Sequence, residues 1–134
     1  MSGGTVTDTA YGQIATNAVQ VSQVAIAHEP KQGTEAAVRE YFKDIPVMIQ
    51  IARCESRFRH TLADGSVLRG EVDSRDIGVM QVNSFYHGAT AAALGLDLNI
   101  LTDNMAYARH LYMKEGTKPW NASASCWSNA LAKL

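Results

Sequence analysis

The spacing of apolar residues predicts that the chain is mainly helical after residue 33. Over 35–44 the apolar positions share one helical face, which is formed by Val38, Tyr41, Phe42 and Ile45. Thr34 has the side chain of a helix N-cap and is predicted to start this helix. A second stripe predicts a helix from Pro46 to about Arg57, and its members are Val47, Ile51, Cys54 and Phe58.

Turn residues divide the remaining sequence. The pair Asp64 and Gly65 lies between short apolar runs and predicts a β-hairpin over 60–69, followed by a polar loop over 70–76. Further helices are predicted at 84–94 ended by Gly95, at 103–115 between Thr102 as cap and Gly116 as stop, and in a short last segment. The expected fold class is therefore α+β, mainly α, with a small β-hairpin.

The first 33 residues differ in composition from the rest. They are rich in Ser, Thr, Gly, Gln and Ala, and their apolar residues have no clear period. We expect residues 1–33 to form a polar tail, partly helical between Ala15 and Ala27, and residues 34–134 to form one folded domain. The tail lacks the basic start and apolar run of a secretory signal. No apolar run reaches the length of about 18 residues that a membrane span needs.

Charge and cysteine content narrow the class of protein. Twelve Lys and Arg against thirteen Asp and Glu give a formal net charge of −1, which argues against a protein held on nucleic acid by phosphate contacts. The four histidines and two cysteines lack metal-ligand spacing, so no metal is expected. The chain has two cysteines, Cys54 and Cys126, and an even number allows one disulfide. Two buried free thiols are the alternative.

Glu55 is the strongest candidate for chemistry. It lies at the edge of the apolar stripe and in the last turn of its predicted helix. Partial burial and the negative end of the helix dipole both raise the pKa of a carboxyl group, and a raised pKa suits a general acid near neutral pH. The alternative is a structural ion pair with a basic neighbour: Arg53, Arg57, Arg59 or His60.

A second candidate region spans residues 73–83. Gly78 permits a close backbone approach, and the alternation predicts that Met80 and Val82 face the core while Gln81 and Asn83 point elsewhere. A Gln carboxamide offers the donors and the acceptor that sugar amides and hydroxyls require. An ordinary loop packed on the core is the alternative interpretation.

Four short motifs in a fixed order give the chain a family resemblance. Residues 51–58 resemble Ile-Ala-x-x-Glu-Ser-x-Phe, and residues 78–82 resemble Gly-Leu-Met-Gln followed by an apolar residue. A later helix is matched by Asn104, Tyr107 and Leu111, and residues 120–123, Trp-Asn-Ala-Ser, resemble Tyr-Asn-Ala-Gly. Together, over about residues 40–127, they resemble the lysozyme-like superfamily, in particular soluble lytic transglycosylase domains and goose-type lysozymes.

The resemblance implies a lysozyme-like fold and a reaction. That reaction is cleavage of the β-1,4 bond between N-acetylmuramic acid and N-acetylglucosamine in peptidoglycan, with Glu55 as general acid and base and no cofactor. In the lytic transglycosylase type, which we favour, the muramic acid 6-hydroxyl attacks C1. In the alternative, hydrolysis, a second carboxylate activates water. Asp73 is the first candidate for that carboxylate and Asp76 the second, although Asp in a polar loop normally serves as a cap.

The resemblance also implies a set of binding residues: Ser56, Gln81, Asn83, Tyr107 and Trp120, with Tyr86 and His87 as further cleft candidates. Each has an alternative structural role, such as backbone bonding for Ser56 or core packing for Trp120. A disulfide between Cys54 and Cys126 would join the two walls of the site. The implied protein is a monomer that acts on glycan strands outside the cell or in the cell envelope.

Two other functions remain compatible with the sequence. One is a glycan-binding module without activity, although a binder has no need for a proton donor at Glu55. The other is a structural domain in a larger envelope or phage assembly, which only the polar tail favours.

Overall fold

The computed structural model describes residues 31–133. The described residues belong to one compact unit, which begins at Lys31. The helix predicted between Ala15 and Ala27, and nearly all of the predicted tail, lie outside the described residues. The first described helix starts at Lys31, so the expected domain boundary after residue 33 falls inside a helix.

Five α-helices, one 3-10 helix and two short strands make up the described residues. In chain order they are α1 (Lys31–Tyr41), α2 (Pro46–Ser56), β1 (Asp76–Ile77), β2 (Val82–Asn83), α3 (Ser84–Ala93), α4 (Leu101–Glu115), the 3-10 helix (Lys118–Ser123) and α5 (Ala124–Ala132). The predicted class, mainly helical with a small antiparallel β-structure, is confirmed.

Two predicted helix starts are wrong. Thr34 is buried within the first turns of α1 rather than capping it, because that helix begins three residues earlier. Thr102 lies exposed inside α4, which begins at the buried Leu101. At α4 the helix begins where the chain enters the core, and burial of Leu101 outweighs the preference of Thr for a cap. Pro46 does occupy the first turn of α2, as predicted.

The core forms where α2 packs against α1, α5 and the 3-10 helix, while α4 contacts α1 and the 3-10 helix. Its largest fully buried apolar side chains are Tyr107, Phe42, Met48, Ile51, Met80 and Met105. Arg57 and Phe58 both have left-handed backbone conformations, with φ of 55° and 59°, and they end α2 just after Glu55. The end of α2 therefore lies against the core on one side and carries Glu55.

The small sheet does not lie where the sequence predicted it. The expected hairpin over 60–69 forms one isolated bridge, between Thr61 and Val67, around a turn in which the Gly65 amide donates to the Leu62 carbonyl over 2.9 Å. The regular strands are β1 and β2, within the segment predicted as loop and core contact. They pair with Ile77 opposite Val82. Two-residue strands show no alternation in a sequence, which is why the pattern missed them.

A disulfide joins Cys54 in α2 to Cys126 in α5, with an S–S distance of 2.02 Å. This confirms the predicted pairing and excludes the two free thiols. The bond closes a sequence separation of 72 residues, and it lies one residue from Glu55. It therefore ties the end of α2 to the C-terminal segment. Within 31–133, no helix is long and apolar enough to cross a membrane.

A buried polar pair holds the turn between the two strands. His60 Nδ1 accepts a hydrogen bond from the Val79 amide over 3.0 Å, and its Nε2 lies 2.9 Å from the Asn99 carbonyl oxygen. Asn104 accepts from the Met80 amide over 3.0 Å and donates to the Ile77 carbonyl over 2.9 Å. These partners assign the neutral His tautomer with its proton on Nε2. The turn can be buried because its backbone groups are bonded.

Gly78 is the position at which this turn tolerates no side chain. Its φ is +73°, and a Cβ there would lie 2.5 Å from the His60 ring and 2.6 Å from Asn104 Nδ2. We therefore expect Gly78→Ala to lower the free energy of unfolding by about 3 kcal/mol or more, measured by urea denaturation. Gly65→Ala is the control, since Gly65 also has a positive φ but an open surrounding. Its loss should be about 1–2 kcal/mol, and equal losses would contradict the steric argument.

Candidate active site

A cleft of about 310 Å³ opens beside the end of α2. Five parts of the fold line the cleft: α2, the two strands with their turn, α3, α4 and the 3-10 helix. In that order they contribute Glu55; Asp76, Gln81, Val82 and Asn83; Tyr86 and His87; Leu111 and Glu115; and Pro119, Trp120 and Ala122. Four of the first-choice site residues thus meet here, namely Glu55, Gln81, Asn83 and Trp120, together with the further candidates Asp76, Tyr86 and His87.

Glu55 is half-buried at the wall of this cleft. Its Oε2 accepts a hydrogen bond of 2.7 Å from Ser123 Oγ. Burial raises the pKa of Glu55 above its ordinary value, the Ser123 hydrogen bond opposes that rise, and the negative charge of Asp76 adds to it. The two raising effects prevail over the lowering one. The carboxyl group therefore holds its proton to a higher pH than an exposed Glu does.

Three of the basic neighbours of Glu55 in the sequence are directed to other partners. Arg53 Nε donates to Gln50 Oε1 over 3.0 Å, and Arg59 Nε donates to the Ser56 carbonyl over 2.9 Å. His60 is buried under the turn between the strands. The structural ion pair that the sequence left open is thus replaced by a hydrogen bond from Ser123, which comes from a distant part of the chain.

Asp73 and Asp76 differ in their surroundings. Asp73 forms a two-oxygen ion pair with Arg75, with distances of 2.9 and 3.0 Å, and this pairing lowers its pKa to about 2. It is not among the residues that line the cleft, whereas Asp76 is. The preference of the sequence analysis for Asp73 over Asp76 as a second carboxylate near Glu55 does not agree with this arrangement. Spacing along a loop could not tell which carboxylate turns inward.

Asn83 is occupied by structural hydrogen bonds. Its Oδ1 accepts from the amides of Phe85 and Tyr86 and so caps α3, while its Nδ2 donates to Asp76 Oδ1 over 2.9 Å. A longer bond of 3.2 Å reaches Asp73. Asn83 lines the cleft as predicted, but the polar atoms of its side chain position Asp76 and the start of α3.

Gln81 lies in the cleft with a left-handed backbone, at a φ of 51°. Such a conformation is uncommon for a residue other than glycine, and it places the side chain back over the turn. Gln81 Nε2 donates to the Gly78 carbonyl over 3.0 Å. The prediction that Met80 and Val82 face the core while Gln81 points elsewhere is confirmed, because Met80 and Val82 are buried and Gln81 lines the cleft.

Two predicted binding residues lie in the core and do not line the cleft. Ser56 is 1% exposed and donates to the Ala52 carbonyl over 2.9 Å, which is the alternative role that the sequence allowed. Tyr107 is also 1% exposed, and its hydroxyl lies 3.2 Å from Nδ1 of His87. Tyr107 therefore reaches the cleft only through His87, whose pKa is lowered by burial.

Trp120 forms a wall of the cleft rather than an open platform. It is 3% exposed, and its Nε1 donates to the Met80 carbonyl over 2.8 Å. This is the core role that the sequence left as an alternative. The exposed aromatic side chain of the cleft is Tyr86, at 71% exposure. Tyr86 at the start of α3 thus offers an exposed flat aromatic face.

No pattern in the sequence predicted a role for Ser123. Ser123 stands where the similar family motif has Gly, and that departure was the one available signal for its contact with Glu55. Over residues 31–133, no group of three His, Cys, Asp or Glu side chains could hold a metal ion.

Comparisons with known proteins yielded no relative. No family model, curated protein or solved structure matches the chain. A fold by itself does not identify a function, so any activity has to be argued from the side chains of the cleft.

The raised pKa of Glu55 predicts how stability depends on pH. A carboxyl group whose pKa is higher in the folded state stabilises the fold while it is protonated, and that contribution is lost as the pH rises towards the folded-state pKa. Glu55→Gln keeps the shape and stays neutral. We expect it to raise the melting temperature by a few degrees at about pH 8 and to give no gain near pH 4, measured by circular dichroism.

The matched control is Glu71→Gln, at an exposed position outside the cleft. It should leave both melting temperatures close to those of the parent. A lower melting temperature for Glu55→Gln at the higher pH would contradict the cost of a buried charge at this position.

Proposed function

We propose that the protein cleaves the β-1,4 bond between N-acetylmuramic acid and N-acetylglucosamine in peptidoglycan, as a lytic transglycosylase of lysozyme-like fold. The observation that carries the proposal is the half-buried Glu55 carboxyl group, with its raised pKa, in the wall of an open cleft. A general acid must hold its proton near neutral pH and must face the substrate. The order of the four motifs supports the choice of substrate.

In the first half of the reaction, Glu55 gives its proton to the glycosidic oxygen. The bond from C1 to that oxygen breaks, the N-acetylglucosamine side leaves with a free 4-hydroxyl, and C1 gains oxocarbenium character. Asp76 lines the same cleft, and its negative charge acts on Glu55. A negative charge there also stabilises the positive charge that develops on the sugar.

In the second half, Glu55 is a carboxylate and acts as a base. It takes the proton of the muramic acid 6-hydroxyl while that oxygen forms a bond to C1. The product is a 1,6-anhydro sugar, and Glu55 is protonated again. One carboxyl group thus completes the cycle, which agrees with the ion pair that keeps Asp73 on Arg75.

Hydrolysis is the second candidate, and the position of Asp76 favours it. A second carboxylate in the cleft could activate a water molecule, as inverting enzymes require. Asn83 Nδ2 donates to Asp76 Oδ1, which leaves the other oxygen of that carboxylate for a water. In this alternative Asp76 takes the role that the sequence analysis gave to Asp73.

The disulfide supports a location outside the reducing cytosol. Disulfides persist in secreted and envelope proteins and are rare in the cytosol. The bond between Cys54 and Cys126 joins the residue before Glu55 to the helix that follows Ser123. We propose that the protein works at the cell envelope or outside the cell, where peptidoglycan lies.

The first test of the activity is Glu55→Gln. The variant keeps the side-chain shape but lacks an ionisable proton, so cleavage of purified peptidoglycan should fall about 100-fold or more, measured by loss of turbidity. Glu71→Gln should retain full activity. If the parent protein binds chitooligosaccharides and peptidoglycan but mass spectrometry finds no product, the chain is a glycan-binding module and the proposed activity is wrong.

A second pair of variants separates transglycosylation from hydrolysis. Under hydrolysis, Asp76→Asn should lower the rate about 100-fold or more, because the base is lost. Under transglycosylation it should lower the rate only about tenfold, through lost charge stabilisation. Asp73→Asn is the comparison and should have the smaller effect in both cases. Analysis of the parent's products decides between the two: anhydro ends indicate transglycosylation, and reducing ends indicate hydrolysis.

A further inference from the structure

We propose that Ser123 is a positioning residue that bonds Glu55 in both of its protonation states, as donor to the carboxylate and as acceptor from the carboxylic acid. The contact itself is independent of the reaction, and its catalytic value rests on the proposed function. A group that acts first as acid and then as base needs a partner that fits both forms. A hydroxyl group can meet this need, because it is both a donor and an acceptor.

The distances around Ser123 Oγ allow this exchange. The hydroxyl oxygen lies 2.7 Å from Glu55 Oε2 and 3.1 Å from the Trp120 carbonyl oxygen. Its single hydrogen can point to only one of these acceptors at a time. When it points to Glu55, it stabilises the carboxylate. When it points to the Trp120 carbonyl, an oxygen lone pair faces Glu55 and accepts the proton of the carboxylic acid.

The Trp120 carbonyl, which is the second acceptor for the Ser123 hydroxyl, is held in place by the core. Trp127 Nε1 donates to the same Trp120 carbonyl over 3.1 Å, and Trp120 Nε1 donates to the Met80 carbonyl over 2.8 Å. Both indole rings are buried. The disulfide between Cys54 and Cys126 adds a covalent link beside each partner. Ser123 and Glu55 therefore keep their separation when the proton moves, and only a hydroxyl rotation is needed.

The charged groups around Glu55 make such a partner useful. Asp76 on β1 repels the carboxylate, and Glu115 on α4 and His87 on α3 line the same cleft. On α2 itself, Arg53 is turned to Gln50. The 3-10 helix supplies the Ser123 hydroxyl, and α5 carries no charged residue. The hydrogen bond from Ser123 thus offsets part of the cost of burying the charged form.

Three variants test the proposal. Ser123→Ala removes the hydroxyl, Ser123→Thr restores one, and Ser128→Ala removes a hydroxyl that donates to the Ala124 carbonyl elsewhere on α5. The first measurement is the titration of the Glu55 carboxyl carbon by ¹³C NMR. We expect Ser123→Ala to raise the pKa of Glu55, Ser123→Thr to return it towards the parent value, and Ser128→Ala to leave it unchanged.

The second measurement separates the two protonation states. A double-mutant cycle with Ser123→Ala and Glu55→Ala, followed by urea denaturation, is run at one pH below and one pH above the NMR midpoint. A partner for both states gives favourable coupling at both pH values. Coupling above the midpoint alone would overturn the proposal and leave Ser123 as a donor only. The absence of coupling at both pH values would also overturn it.

The third measurement links the contact to catalysis. We expect Ser123→Ala to shift the alkaline limb of the cleavage profile to higher pH, because the acid form persists, and to lower the maximal rate about tenfold. If the parent protein cleaves no peptidoglycan while the titration and the coupling behave as expected, the proposed function fails and the pairing of Ser123 with Glu55 stands. If cleavage is present and its pH profile is the same in Ser123→Ala, the positioning role is wrong.

Discussion

The buried turn between the two strands is the constraint on which the cleft depends. Its amides and carbonyls leave water, so each needs a partner, and His60 and Asn104 provide several of them from distant segments. The Met80 carbonyl of this turn accepts a hydrogen bond from Trp120 Nε1. This bond positions the 3-10 helix. Ser123 follows Trp120 by three residues and thereby reaches Glu55. The geometry at Glu55 is thus connected through hydrogen bonds to the turn.

The pKa values of the acidic residues in and near the cleft depend on which of them have a cation close by. Asp73, which lies outside the cleft, is bonded to Arg75 and has a lowered pKa. Glu55 instead has burial and Asp76 as its main influences, and its pKa is raised. Neighbours in sequence would have allowed the opposite outcome, since four basic residues lie close to Glu55. The pKa of Glu55 is raised because burial and Asp76 outweigh the Ser123 hydrogen bond, while Arg53, Arg59 and His60 bond to other partners.

The disulfide and the core give this site its rigidity. Cys54 precedes Glu55 directly, and Cys126 is in the helix that begins after Ser123. The disulfide and the hydrogen bond from Ser123 to Glu55 therefore both join the end of α2 to the C-terminal segment. For the proposed reaction this matters because one carboxyl group must give up a proton and take one back at the same place. A rigid frame keeps the reorganisation small between the two steps.

The sequence by itself determined the helical class, α2 with Pro46 in its first turn, and Glu55 as the residue of interest, because helical spacing and local chemistry depend on neighbouring residues. The two cysteines allowed a disulfide, which the family resemblance favoured and the structure confirmed. Only the tertiary structure decided which groups surround Glu55. Ser123 lies 68 positions away, Asp76 rather than Asp73 lines the cleft, and Ser56 and Tyr107 are buried. Two-residue strands and contacts across such separations leave no period in a sequence, since they form only when distant segments share a core.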